Sequence, residues 1–575
     1  MLNVFVHKGM ILASRKLFLP VVLTIFGFLS PNGIEAAVYE VKPNSAMESI
    51  AQVPWATLQP GDLVLIHWRA AEYKEKWVIG RSGTPQLPII IRGVPGPTGE
   101  LPVIDGRNAV TPPGLNFWSE NRGVIKIGGS NVPSSSLVSN IVIENLEIRS
   151  GHPSYMFTDD SGAVQSYSTS ASSIFVELGE NITVRNCRIH DSANGFFVAS
   201  SDEAVSKNIL VEGNYIFGNG VSGSIFQHNN YTAAYGITFQ YNRFGPLRSG
   251  APGVNLKDRS AGLVVRYNWI EGGNRNIDMV DGEDSSIIRN APEYRSTFVY
   301  GNVLIKQDGG NNQSVHYGGD SGTTANYRKG TLYFYNNTLY SIRAGTTVVM
   351  RLSTNDENAD ARNNIFFNTA AGTSLAMLAE AGTLTLANNW AKTGWRNSHE
   401  GSSFSGSVTG GGTMVTGSSP GFVDASSQNF KLAEGSAALN AGTGLHPAVI
   451  PSNELVRQYV LHQLSEARPS AGVLDIGAFE FASAPLQILT NGLPDPVRIR
   501  PYHQQLAAAG GSGNFTWSIS SGALPPGLVL DPAAGVIRGR ARIIGTATFT
   551  VTASDAADPQ QSISKEFSLT SRLQP

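Results

Sequence analysis

Residues 254–284 read VNLKDRSAGLVVRYNWIEGGNRNIDMVDGED, and their pattern decides the fold. Two short alternating segments, VNLKD and IDMVD, flank a third, LVVRYNWI, in which an asparagine is followed within three residues by aromatic or aliphatic side chains. The same plan recurs at Asn145, Asn186, Asn214, Asn242, Asn268, Asn302, Asn337, Asn364 and Asn389, at separations of 25 to 41 residues. An irregular repeat of this length, with β-branched and aromatic strands, Gly and Asn at corners and almost no helical periodicity, indicates a β-solenoid. Each turn of such a fold buries its apolar face against its neighbours. The repeated asparagines are then expected to stack inside it as a ladder, amide to amide.

Composition sets the outer limits. A chain of 575 residues has room for more than one domain, and 41% hydrophobic with 15% charged residues is the balance of a folded protein. The 62 Gly and 30 Pro suit a turn-rich all-β chain. A formal net charge of -2 argues against nucleic acid or an anionic membrane as partner. Cys187 is the only cysteine, so it makes no internal disulfide and reads as a small buried hydrophobe.

At the N-terminus Lys8, Arg15 and Lys16 precede the apolar run LFLPVVLTIFGFL, and small residues follow at Ala36 and Ala37. This is the pattern of an export signal over residues 1–36, cleaved near Ala36. The run is too short to span a bilayer of ~30 Å as a helix, so a secreted protein is expected rather than a membrane-embedded one. Residues 45–51 are expected to form a short helix closing the first turn, because an open solenoid end exposes apolar interior and unpaired backbone.

The segments LQPGDLVLI, SGTPQLPIIIRG and LPVIDG that follow resemble the opening turns of secreted right-handed parallel β-helix proteins of the pectate-lyase-like superfamily. The resemblance implies a right-handed parallel β-helix over residues 38–394. It implies a polysaccharide as partner but no single reaction, since the superfamily includes lyases, hydrolases, epimerases and non-catalytic tail or adhesion proteins.

Alternation along each strand assigns the outward residues. Aligning strands by their inward pairs places Phe175, Phe197, Phe226, Asn255, Asp278, His316 and Val349 in one outward column. The next column holds Glu177, Ala199, His228, Lys257, Val280, Gly318 and Arg351. Successive turns lie ~4.8 Å apart, so His228, Asn255, Lys257, Asp278 and His316 are expected on one exposed sheet. Any solvated strand carries some polar residues. An apolar row beside a charged cluster is costly unless a loop or a ligand covers it, and sugar sites combine ring faces with fixed polar groups. The insertion at residues 150–172, with His152, Tyr155, Asp159 and Asp160, is a candidate wall.

Cleaving a uronate polymer by β-elimination requires neutralising the carboxylate, a base for the C5 proton and an acid for the leaving oxygen. Lys257 is the candidate base, poised by the neighbouring cations Arg259 and Arg275, and Arg259 or Arg266 offers a two-pronged carboxylate donor. The expected catalytic set is Lys257, Arg259, His228 and Asp278; the expected substrate contacts are Asn255, Arg266, Arg275, His316, Phe226 and Arg351. The arrangement resembles the chondroitinase B and alginate lyase family, which sets a Lys base and an Arg beside a calcium site. That family's paired Glu ligands are missing from GAPGVNLK here, so the resemblance carries over only Lys257 as base and leaves calcium an open question. A glycoside hydrolase is the alternative, using Asp258, Asp278, Asp281, Glu283 and Asp284, although DGED is also a turn sequence. The remaining alternative is a non-catalytic extracellular glycan-binding or adhesion protein, which a plain salt bridge between Lys257 and Asp278 on a flat face would favour.

Beyond Trp390 the pattern changes. PGFVDASSQNFKLAEGSAALNAG and VLDIGAFEF resemble the closing segment that follows many bacterial secreted β-helices, here residues 395–481. Within it residues 452–466, SNELVRQYVLHQLSE, are expected to be a helix with Leu455, Val456, Tyr459, Val460 and Leu464 near one face. Residues 482–485 read as a linker. Residues 486–575 carry about seven short alternating strands broken by Gly, Pro and Asp, the pattern of a β-sandwich. The run SGALPPGLVLDPAAGVIRGRARIIGTATFTVTASDA resembles the bacterial Ig-like family related to cadherin modules. That resemblance implies a core Trp517, a spacer or sugar-contact role, and Asp555 and Asp558 as calcium candidates.

Overall fold

The computed structural model describes residues 36–573 except 370, 371, 373, 470, 471, 482–484, 512, 557, 558 and 560. The expected export signal, most of the linker and Asp558 lie outside the described residues.

The turn at the centre of the chain shows how the fold is wound. Leu256–Asp258 lies in one sheet, Ala261–Arg266 in a second and Trp269–Glu271 in a third, after which Ile277–Met279 rejoins the first, in parallel register one rung on. Repeated from Val38–Val41 to Val415–Gly417, this gives three long sheets whose neighbours follow sequence order and pair in parallel. The chain is therefore a parallel β-helix. Its interior is filled by the inward residues of each strand, such as Leu263, Val265, Ile270, Ile277 and Met279, all fully buried. The solenoid runs a rung further than residue 394, because Ser407–Thr409 pairs with Thr383–Ala387 and Val415–Gly417 with Trp390–Lys392.

The asparagine ladder exists, shorter than expected. Asn214, Asn242, Asn268, Asn302, Asn337, Asn364 and Asn389 are all buried, and each of the first six passes its backbone N–H and its Nδ2 to the next asparagine's Oδ1. For Asn268 the two bonds measure 2.8 and 3.0 Å, and Nδ2 also reaches the Phe239 carbonyl at 2.9 Å. Asn145 and Asn186 do not join. They stand one position earlier in the corner, at φ of 58° and 55°, and the ladder sites of their rungs are Leu146 and Cys187. Asparagine is tolerated at positive φ, so one corner uses it for two different purposes at adjacent positions. Cys187 donates its backbone N–H to Asn214 Oδ1 at 2.9 Å, and burial pushes its thiol up to about 12.

The helix expected over residues 452–466 is instead an antiparallel hairpin, Arg457–Val460 with Leu464–Ala467. A short apolar run does not distinguish the two periods, and here docking decides. Tyr459 stacks on Trp269 at 5.9 Å and Phe430 does so at 5.5 Å, so the segment covers apolar side chains that the third sheet turns outward. Tyr267 and Tyr335 anchor it by donating to the carbonyls of Glu454 and Asn453. At the other end the expected helix over 45–51 is one 3-10 turn, Ile50–Gln52, capped by Ser49 and Gln52.

The C-terminal module is an antiparallel Ig-like sandwich, with sheets formed by Tyr502–Gln505, Leu528–Asp531 and Val536–Gly539 and by Phe515–Gly522, Gly545–Asp555 and Ser562–Ser571. Trp517, Ile537, Phe549 and Leu569 lie in its core. Among the described residues no helix is long and apolar enough to cross a membrane.

Candidate functional site

One sheet presents the chemistry. Its strands include Ser172–Val176, Asn194–Val198, Asn230–Thr232, Leu256–Asp258, Ile277–Met279, Gln313–Tyr317 and Thr347–Leu352. Their register aligns Phe175, Phe197, Tyr231, Lys257, Asp278, His316 and Arg351 in a single outward column. Three rings therefore lead directly into four ionisable groups, one per rung.

Three expected members of the face, Phe226, His228 and Asn255, are displaced because loops of unequal length precede the strands. The strand before Lys257 begins at Asn230, so Tyr231 takes the place expected for Phe226 and His228. Phe226 sits on the preceding loop at 71% exposure. His228 is buried, donates its backbone N–H to Asn194 Oδ1 at 2.9 Å and accepts from Val254 N–H at Nδ1, 3.0 Å. Asn255 precedes its strand and turns inward, where its Oδ1 accepts from Asn229 and its Nδ2 donates to the Glu271 carbonyl at 2.7 Å. Arg266 ends a strand of a different sheet and is held there by Gln240 and Tyr300 at 2.8 and 3.1 Å. A two-residue register difference also puts Arg351, not Val349, beside His316.

The charged groups form one network. The Lys257 ammonium, 11% exposed, pairs with Asp320 Oδ2 and stands 3.7 Å from Asp278 Oδ2. Arg259 donates to the other oxygen of Asp320 at 3.0 Å, to Glu283 at 2.8 Å and, through Nε, to the Tyr231 hydroxyl oxygen at 2.8 Å. Arg275 reaches Asp278 at 3.3 Å, and Arg351 pairs with Glu380 at 2.7 Å. His316 is enclosed, its Nδ1 2.6 Å from Asp278 Oδ1 and its Nε2 2.8 Å from Ser353 Oγ.

Burial and charge set the protonation of this network. Asp278 is buried, yet His316, Lys257 and Arg275 around it outweigh the desolvation and hold its carboxyl far below the usual range. Burial outweighs Asp278 at His316 and lowers that imidazole, and it pulls His228 down to about 3 with help from the Lys257 charge. Asp320 loses part of its water, but Lys257 and Arg259 keep it ionised.

The sequence pattern missed Tyr231, Asp320 and Ser353. Tyr231 lies in a strand whose inward residues are Asn230 and Thr232, so no apolar alternation marks it. Asp320 comes from a Gly-rich loop after Gln313–Tyr317. Two acids of the hydrolase alternative are interior: Asp258 is ion-paired to buried Arg328 at 3.3 Å, and Asp281 accepts from the backbone of Asp320 at 2.8 Å. Among the described residues no group of three or more His, Cys, Asp or Glu is arranged to hold a metal ion.

Comparisons with known proteins assign one module. None of the curated protein sequences matches the chain. An alginate lyase from Paenibacillus sp. aligns at 15% identity over 60% of this chain and 97% of its own, with a TM-score of 0.36. A DFA-IIIase from Arthrobacter chlorophenolicus aligns at 11% identity over 65% and 98%, with a TM-score of 0.32. A "putative alpha-galactosidase/melibiase" of Bacteroides fragilis aligns at 21% identity over 15% of this chain, with a TM-score of 0.14, and the chain spans only 17% of that protein. Residues 482–572 match the family model described as "Putative Ig domain", so the chain ends in a module of that kind.

Proposed function

We propose that the protein is an exported polysaccharide lyase that cleaves a uronate-containing glycan by β-elimination on the Lys257 face. The observation that carries this reading is the way Asp320 is held. Lys257 and Arg259 already grip one carboxylate, an oxygen each, and that carboxylate arrives on a loop. A uronate that exchanges with Asp320 meets the same two donors, which neutralise its charge and ease loss of the C5 proton.

Tyr231 stands one rung before Lys257, ~4.8 Å along the column. Its oxygen accepts from Arg259 Nε, which leaves the hydroxyl proton directed elsewhere. With the uronate seated on Lys257 and Arg259, and the Tyr231 hydroxyl proton first passed to solvent, the Tyr231 oxygen takes the C5 proton, the bond from C4 to the leaving oxygen breaks with its electron pair going to that oxygen, and the re-formed Tyr231 hydroxyl protonates it. Its two carboxylate partners, Asp278 and Asp320, support a grip role for Lys257 in place of the base role read from sequence. Phe175 and Phe197 extend the column as ring faces for neighbouring sugars.

The test is a panel of anionic polysaccharides, followed by absorbance of the unsaturated product. Tyr231→Phe should cut turnover on the order of 100-fold or more while leaving glycan binding in place. Lys257→Ala should weaken both, and Lys257→Arg should keep part of each. A Lys257→Arg protein that binds but is inert would return the base role to Lys257, because a guanidinium does not give up its proton near neutral pH. A panel without any unsaturated product would remove the lyase reading.

A further inference from the structure

A second concavity lies away from the Lys257 face, along the edge where the third sheet ends. Its floor is a column of strand-end residues, Arg149, His190 and Phe217, one per rung. The next position is Gly245, where a Cβ would come within 2.9 Å of the Phe217 side chain and 3.0 Å of the Tyr215 ring. With no side chain there, Tyr215 leans over and stacks on Phe217, 4.0 Å away and 19° from parallel, and Phe217 stacks in turn on His190, 4.7 Å away and 14° from parallel. The loop after Gly245, carrying Pro246, Leu247 and Arg248, forms the wall, and the hollow measures about 500 Å³. A second hollow of about 220 Å³ shares those three wall residues and continues to Gly273 and Gln307. The groove thus follows the solenoid axis over several rungs, the direction in which a linear polymer can lie.

Its polar groups are fixed and mutually neutralised. Arg248 donates to Asp191 at 2.6 Å, and Asp191 also accepts from Ser150 at 2.9 Å and from Tyr155 at 3.1 Å. Arg149 is held by Asp105 and Glu72 at 3.0 and 2.9 Å, and His190 lies 3.2 Å from Glu147. No surplus positive charge waits for a uronate or phosphate. A pre-oriented carboxylate beside a guanidinium, set against stacked rings, suits the hydroxyls and the apolar faces of uncharged sugars. We infer that this groove is a second, non-catalytic binding site for a neutral stretch of glycan, independent of any turnover on the Lys257 face.

Titration calorimetry with neutral oligosaccharides of glucose, mannose and galactose tests it on the full chain, because these probes offer nothing to the Lys257–Arg259 grip. At least one should bind, and both Phe217→Ala and Leu247→Trp should weaken it by about tenfold or more. Leu247→Trp fills the groove from a part-exposed wall position, so it serves if loss of Phe217 disturbs the fold. Lys257→Ala should bind the same probe as the unaltered protein does. Absence of binding by all three sugars, or affinity unchanged in Leu247→Trp, would overturn the inference, and binding lost in Lys257→Ala would move the site to the other face.

Discussion

His228 is enclosed behind the Lys257 rung and held neutral, its imidazole pulled down to about 3 by burial and by Lys257. An unfolded chain protonates the same ring near ~6.5, so between these values the unfolded state binds more protons. The stabilisation is therefore complete above about pH 6.5 and is lost as pH falls toward about 3, on the order of a few kcal/mol in all. His228→Asn, which keeps an acceptor near the Val254 N–H, should show a shallower fall of the unfolding midpoint between pH 6.5 and 4 than the unaltered protein. Equal slopes in the two proteins would mean that the ring does not resist protonation. Lys257, Asp278, His316 and Arg351 were legible on one face because parity along a strand survives a two-residue register error. His228, Asn255 and Phe226 were not, because each belongs to a loop or a strand entry where parity no longer applies.

At the scale of the element, the ladder couples one turn to the next through buried amides. Each inner asparagine both donates and accepts, so removing one strands its neighbours on either side. Asn268→Leu should cost ~1 to 3 kcal/mol, because Asn242 loses the Oδ1 that accepts its two donors and Asn302 Oδ1 loses the bond from Asn268 Nδ2, keeping only the one from the backbone N–H. Chemical denaturation of the full chain measures it, and an unshifted midpoint would show that water or a neighbour replaces the amide. The ladder was legible since its period is that of the fold itself. Its first two members were misread because Asn145 and Asn186 serve the corner's positive φ, a backbone demand that a residue name does not distinguish from a side-chain one. The closing hairpin was misread for a related reason: Tyr459 faces Trp269, a partner nearly two hundred residues away, and tertiary docking outweighs the local pattern.

The whole molecule joins a solenoid, in which stability is shared between neighbouring rungs, to a module that closes its own core. The solenoid's repeat is written along the chain and so was the fold's clearest signal, whereas Asp320 and the groove walls come from loops whose lengths obey no period. The C-terminal module is different in kind. Among the described residues its strands pair only with one another, and Ile488, Tyr502, Trp517, Leu528 and Phe567 form a cluster of their own. Its length of ~90 residues is within the normal domain range, so it should fold without the solenoid. Residues 486–575 expressed alone should give β-rich circular dichroism and a single cooperative transition, with Trp517 fluorescence and circular dichroism changing together. Two transitions that fail to coincide, or a fragment that binds hydrophobic dye and lacks near-ultraviolet signal, would show that the sandwich depends on the β-helix for its packing.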